Sequence, residues 1–103
     1  MSEKILEATD QDFDQKTSQG TVLVDFWATW CGPCRMQSEI LKGLAEKLPE
    51  DAKIVKVNVD EASESAARFS VRSIPTIVLL KDGETIQQMV GVQDEKTLLQ
   101  ALE

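Results

Sequence analysis

The chain has 103 residues, of which 18 are acidic and 11 basic, for a formal net charge of −7. That length suits a single domain burying roughly 60 to 70% of its unfolded surface around one core, and the negative charge disfavours nucleic acid or an anionic membrane as a general ligand. No segment approaches the ~20 apolar residues of a membrane span, and Met1-Ser2-Glu3-Lys4 has no apolar signal core, so a cytoplasmic protein is expected.

Lys4-Ile5-Leu6-Glu7 is a short strand candidate. Thr9, followed by Asp12, is the expected N-cap of a short helix across residues 10–18 that ends near Gly20, with Phe13 as its core anchor. Thr21 to Trp27 runs Thr-Val-Leu-Val-Asp-Phe-Trp, a nearly continuous apolar, β-branched segment that predicts a strand buried on both faces. Leu23, Asp25 and Trp27 share one face, and Val22, Val24 and Phe26 the other. Asp25 therefore stands among large apolar neighbours. Burial there disfavours the charged carboxylate and raises its pKa, as happens at functional sites. The alternative is an acid at an exposed edge.

Both cysteines fall in Trp30-Cys31-Gly32-Pro33-Cys34. Beyond them, residues 36–48 place Ile40, Leu41, Leu44, Ala45 and Leu48 on one face of a helix, which puts the cysteines at a strand-to-helix junction. Cysteines three apart on a first helical turn have Cα atoms about 5 to 6 Å apart, within disulfide range. The unpartnered N–H groups of a helix start, at the positive end of its dipole, favour thiolate over thiol. Cys31 is expected just outside the helix with its sulfur accessible, as attacking nucleophile. Cys34, one turn in and partly covered, is expected to be the resolving thiol. A structural disulfide is one alternative. A zinc site is another, but with no histidine it would need two carboxylates or a second chain. Gly43, inside the same helix, costs about 1 kcal/mol relative to alanine for no reason visible in the sequence.

Pro49-Glu50-Asp51 ends that helix, and residues 52–59 alternate as a strand, with Val55, Val57 and Val59 facing one way and Ile54, Lys56 and Asn58 the other. A strand, helix, strand order implies a right-handed parallel crossover, which allows Lys56 to approach Asp25. Otherwise Lys56 is a snorkelling surface lysine. Residues 60–69 read as a short helix with Ser63 as a cap and Ala66, Ala67 and Phe69 inward. Pro75 precedes the apolar run Ile77-Val78-Leu79-Leu80, a position suited to the first residue of a strand. Asp82-Gly83 signals a two-residue hairpin. Gly91 is either a turn glycine or a point of close approach by another chain. Residues 94–102 close the chain as a helix with Leu98, Leu99 and Leu102 inward. The order βαβαβαββα is that of an α/β protein with a mixed central β-sheet and helices on both faces.

The run Val24-Asp25-Phe26-Trp27-Ala28-Thr29-Trp30-Cys31-Gly32-Pro33-Cys34-Arg35-Met36 resembles the active-site signature of the thioredoxin family. Lys56-Val57-Asn58-Val59-Asp60, Arg72-Ser73-Ile74-Pro75-Thr76 and Val90-Gly91 fall in the family's order and spacing, so the resemblance spans essentially the whole chain. It implies the thioredoxin fold over residues 1–103 as one domain, and reduction of disulfides in protein substrates through a reversible Cys31-Cys34 disulfide, with no bound cofactor. It implies that Asp25 accepts the Cys34 proton, that Lys56 lies near Asp25, and that the Ile74-Pro75 bond is cis, placing Pro75 against the cysteines. Trp30, Gly32, Pro33, Ile74 and Gly91 would form the docking surface, with the Ile74 backbone offered to an extended substrate segment. Gly32-Pro33 tilts the pair toward reduction, for which thioredoxin itself supplies the reference potential of about −270 mV. The implied partners are an NADPH-dependent flavoprotein reductase and disulfide-containing proteins, met by a monomer. One position departs from the pattern: five residues beyond the second cysteine the family commonly has proline, and here stands Glu39, so a straighter helix is expected. The competing reading is a binding module of the same fold whose cysteines are dispensable.

Overall fold

The apolar run Thr21–Trp27 forms β2, and it is the middle strand of a five-stranded sheet. The computed structural model describes residues 3–103; Met1 and Ser2, part of the start read for a signal core, lie outside the described residues. Around β2 the chain forms β1 (Ile5–Ala8), α1 (Phe13–Thr17), α2 (Gly32–Ala45), β3 (Ala52–Asn58), α3 (Ser63–Arg68), β4 (Thr76–Lys81), β5 (Glu84–Val90) and α4 (Glu95–Ala101). The sheet order is β1-β3-β2-β4-β5, with β1, β3 and β2 parallel and β4 and β5 antiparallel to their neighbours. This is the expected mixed α/β sheet of the thioredoxin fold. Among the described residues no helix is long and apolar enough to cross a membrane.

The alternation of β2 sorts the core into two layers. Val22, Val24 and Phe26 pack with Val55, Val57, Val78 and Leu80 under Phe13 of α1 and Ala66 of α3. Leu23 packs with Ile54, Ile77 and Leu79 under Leu41 and Leu44 of α2 and Leu98 of α4. Helices thus cover both faces. Each such fully buried side chain contributes about 1.5 to 3 kcal/mol, so a slip of β2 by one residue would forfeit both layers. At Asp82-Gly83 both residues have left-handed backbone, φ 48° and 86°, as a type I′ hairpin requires.

Several local expectations are corrected. Thr9 does not cap α1. Asp12 occupies the cap position and its carboxylate reaches back to accept the Thr9 N–H at 2.7 Å, so the helix begins at Phe13. Ser63 is the first helical residue of α3 rather than its cap. Its capping is supplied from afar: the Asp10 carboxylate accepts from the Ser65 N–H at 2.8 Å, the Ser65 hydroxyl at 2.7 Å and the Glu64 N–H at 3.3 Å. That bond lets Ser65 turn inward, and Ala67, expected inside, faces solvent. Helix α2 ends at Ala45, short of Leu48, which still packs against the α2 layer. It passes unbroken through Glu39, whose carboxylate pairs with Lys42 at 2.9 Å. At Gly43 an added Cβ would lie 3.5 Å from Glu95 Oε1, an ordinary contact, so packing does not demand glycine there.

Candidate active site

Four residues separate the end of β2 from the start of helix α2, and the last of them, Cys31, is its N-cap, with extended backbone at φ −93° and ψ 109°. The Cys31 sulfur accepts the Cys34 N–H at 3.2 Å, the bond that a serine or aspartate oxygen makes at an ordinary N-cap. A sulfur held there feels both that N–H and the positive end of the helix, and both stabilise it most when it is an anion. Pro33 sits in the first turn, where a missing N–H leaves no helical bond unmade. The two cysteines form a disulfide with Cα atoms 5.3 Å apart, inside the expected span.

The accessible sulfur expected for Cys31 is not found in this oxidised state. Cys31 is 5% exposed and Cys34 2%, both packed in a cluster with Ala28 and Ile74. Its surroundings are open instead. Gly32 and Pro33 are exposed, and Trp30 is 68% exposed, with its indole N–H donating to Asp60 Oδ2 at 2.8 Å. The Ile74-Pro75 bond is cis, and Ile74 packs against Cys31, Cys34 and Ala28, with its carbonyl oxygen 3.7 Å from the Cys31 sulfur. Gly91 has φ 90° and its N–H donates to Pro75 O at 2.8 Å. The left-handed backbone there calls for glycine, and among the described residues no atom beyond its own chain neighbours lies within 4 Å of where a Cβ would stand, so the space in front is also open. Trp30, Gly32, Pro33, Ile74 and Gly91 are therefore brought to one end of the sheet around the cysteines.

Beneath this surface Asp25 is 0% exposed, which excludes the exposed-edge alternative. It stands opposite Lys56 on β3 and Ile77 on β4, and neither carboxylate oxygen has a hydrogen-bond partner among the described residues. Burial pushes the carboxyl up to about 7, with the Lys56 ammonium opposing the rise. Lys56 is half-buried rather than a surface lysine: its ammonium donates to the Ser38 hydroxyl and lies 5.0 Å from the centre of the Trp27 ring. Trp27, half-buried, packs beneath the site as part of the cysteine cluster. A cleft of about 450 Å³ lined by Trp27, Ala28, Cys34, Ser38 and Lys56 opens beside the second cysteine.

Two residues escaped the sequence reading. Ser38 was unmarked because its partner is on another strand. Gln37 falls outside an apolar stripe of α2 read through hydrocarbon side chains alone. Yet the spacing of Cys34, Gln37, Leu41 and Leu44 places all four on one face, and all four are buried.

Residues 4–103 match the family model described as Thioredoxin. The thioredoxin of Bacillus subtilis is 48% identical over 94 residues, covering 91% of this chain and 90% of that protein. The thioredoxin of Listeria monocytogenes is likewise 48% identical over 94 residues, covering 91% of each. Among solved structures, a mutant thioredoxin from Halobacterium salinarum superimposes with a TM-score of 0.87 at 38% identity, covering 97% of this chain and 88% of that one.

Proposed function

Because this chain belongs to the thioredoxin family, we propose that Cys31 is the attacking nucleophile, Cys34 the resolving thiol and Asp25 the base that frees it. The protein is a thiol-disulfide oxidoreductase that reduces disulfides in protein substrates, and its redox group is its own Cys31-Cys34 pair. A binding module with dispensable cysteines is not favoured.

In the first step the Cys31 thiolate attacks one sulfur of a substrate disulfide. The substrate S–S bond breaks as the Cys31–substrate bond forms, and the departing sulfur leaves as a thiolate that takes up a proton. Cys34 then yields its proton to the Asp25 carboxylate and attacks the Cys31 sulfur, releasing the second substrate sulfur. Two electrons have passed from the cysteine pair to the substrate. A carboxyl near pH 7 is matched to this task, since an ordinary one near 4 would be a poor acceptor from a thiol of about 8.5. Lys56 opposes the rise of the Asp25 carboxyl, and the same lysine lines the cleft beside Cys34.

The observation that carries this reading is the Cys34 N–H held on the Cys31 sulfur at the start of α2. Trp30, Gly32, Pro33, Ile74, Pro75 and Gly91 form the docking surface for an extended segment of the substrate. Gly32-Pro33 sets the direction toward reduction. A reductase returns the disulfide to the dithiol, and we assign that role to an NADPH-dependent flavoprotein acting on a cytoplasmic monomer whose residues 1–103 work as one domain. Insulin precipitation in dithiothreitol tests the reading: wild type accelerates it, a Cys31→Ser/Cys34→Ser variant does not, and Cys34→Ser accumulates a mixed disulfide through Cys31. Undiminished acceleration by the double variant would overturn it.

A further inference from the structure

Gln37 lies one helical turn beyond Cys34 on the buried face of α2 and is 0% exposed. Its neighbours on that face are Leu41 and Leu44, and an apolar residue in its place would continue the stripe without interruption. The amide is instead engaged at both ends. Its Oε1 accepts the Gln93 N–H at 2.7 Å, and its Nε2 donates to the Gln93 carbonyl oxygen at 3.0 Å. The orientation is fixed by chemistry, since a flipped amide would set donor against donor and acceptor against acceptor. Gln93 belongs to the short segment between β5 and α4, whose backbone groups have no ladder or helix to satisfy them.

From that clamp a chain of bonds runs to the mouth of the active site. The Gln93 side chain donates to Gly91 O at 3.1 Å and Val90 O at 3.2 Å. The Gly91 N–H in turn donates to Pro75 O at 2.8 Å. Three segments that wall the docking surface are thus joined in series: α2 to the Gly91 loop through the buried Gln37 side chain, and that loop to the Ile74-Pro75 corner through the Gly91 backbone. Without the Gln37 amide, Gln93 would lose partners for both its N–H and its carbonyl, and the loop would move to find water.

We propose that Gln37 is a positioning residue for protein substrates, holding the Gly91 loop at a set distance from Cys31 so that the groove between them accepts an extended chain. This rests on the docking reading above. Gln37 touches neither substrate nor sulfur. Its effect therefore falls on substrates that use the groove and spares those that need only the thiolate.

The test compares Gln37→Met, which keeps the length of the side chain and removes both bonds, with wild type on two substrates: insulin and a small aromatic disulfide, dithiobis-nitrobenzoate. A groove residue predicts a fall of roughly fivefold to tenfold in kcat/KM for insulin, carried by KM, with the small-disulfide rate within about twofold of wild type. It also predicts amide exchange at Gln93 faster by about tenfold, with exchange at Val55 in β3 unchanged. Gln93→Ala, which keeps the clamp and loses the bonds to Gly91 and Val90, should raise KM in the same direction by about twofold to threefold. Equal losses on both substrates, an unchanged KM for insulin, or unchanged protection at Gln93 would each overturn the proposal. Wild type inert toward insulin yet reactive with the small disulfide would strike the functional reading instead, and exchange at Gln93 would still decide whether Gln37 holds the loop.

Discussion

Two polar side chains lie fully buried close to the disulfide, and the protein treats them in opposite ways. Gln37 on α2 has both ends of its amide bonded to the Gln93 backbone, whereas Asp25 on β2 has no hydrogen-bond partner for either oxygen among the described residues. A buried amide that is fully satisfied stiffens its surroundings and has no charge to change. A buried carboxylate without donors is destabilised as an anion and holds its proton to about pH 7. One arrangement fixes shape; the other stores reactivity. The difference is visible only once partners are counted, because both residues are equally inaccessible to solvent.

The sharpest way to break this contrast is to remove the carboxylate. Since the folded carboxyl titrates near 7 and the unfolded one near 3.8, the native state holds its proton longer, so stability is greatest below pH 3.8, falls as pH rises through 7, and stays lowered above it. Asp25→Ala should therefore raise stability at pH 8 by an amount on the order of 4 kcal/mol, less the cost of the small cavity, and the gain should vanish at pH 3. The same variant should slow resolution of the mixed disulfide. Denaturant titrations at the two pH values check the first claim; a gain of equal size at both would mean that the carboxylate is not the cause.

Gln37→Met should do the reverse, lowering stability by about 1 to 2 kcal/mol at either pH, because two neutral bonds are lost and no proton is involved. A pH-dependent loss in the same titrations would contradict the pairing seen at Gln93. Smaller still is Lys56→Met. Removing the ammonium lets the Asp25 carboxyl rise further and should cost about 1 kcal/mol above pH 7. That loss should disappear when Asp25 is also replaced by alanine, and a double-mutant cycle measures the coupling. Gly43→Ala, far from both groups, should stabilise by just under ~1 kcal/mol, since its Cβ meets only the Glu95 carboxylate at 3.5 Å. A thermal melt showing a loss there would mean that α2 and α4 are packed more tightly than this distance allows.

The contrast also marks where sequence reading stops. Asp25 was legible because period-2 alternation in β2 put an acid among large apolar residues, and the Asp25–Lys56 pairing followed from the parallel crossover. The β2 boundaries, the Asp82-Gly83 turn and the inward Leu98 were equally local in origin. The burial of Gln37 is legible in the spacing of α2, but its bonding is not, since its partner stands 56 positions away and nothing in the helix pattern points to Gln93. Asp10 capping α3 from 55 positions away failed for the same reason, and with it the orientation of Ala67. The shelter of Cys31 comes from the packing of Ala28, Ile74 and Cys34 around it, which the pattern around the cysteines does not show.

The account turns on the two sulfurs being unequal once the disulfide is opened, Cys31 ionised at the helix start and Cys34 protonated a turn deeper. Brief alkylation of the reduced protein with iodoacetamide across pH 5 to 9, with each site quantified by peptide fragmentation, measures this directly. Cys31 should be labelled first, with its half-maximum well below the ordinary thiol value because the helix start favours its thiolate, and Cys34 should lag by more than about tenfold. Labelling of Cys34 first, or a Cys31 profile centred near the ordinary thiol value of about 8.5, would contradict it.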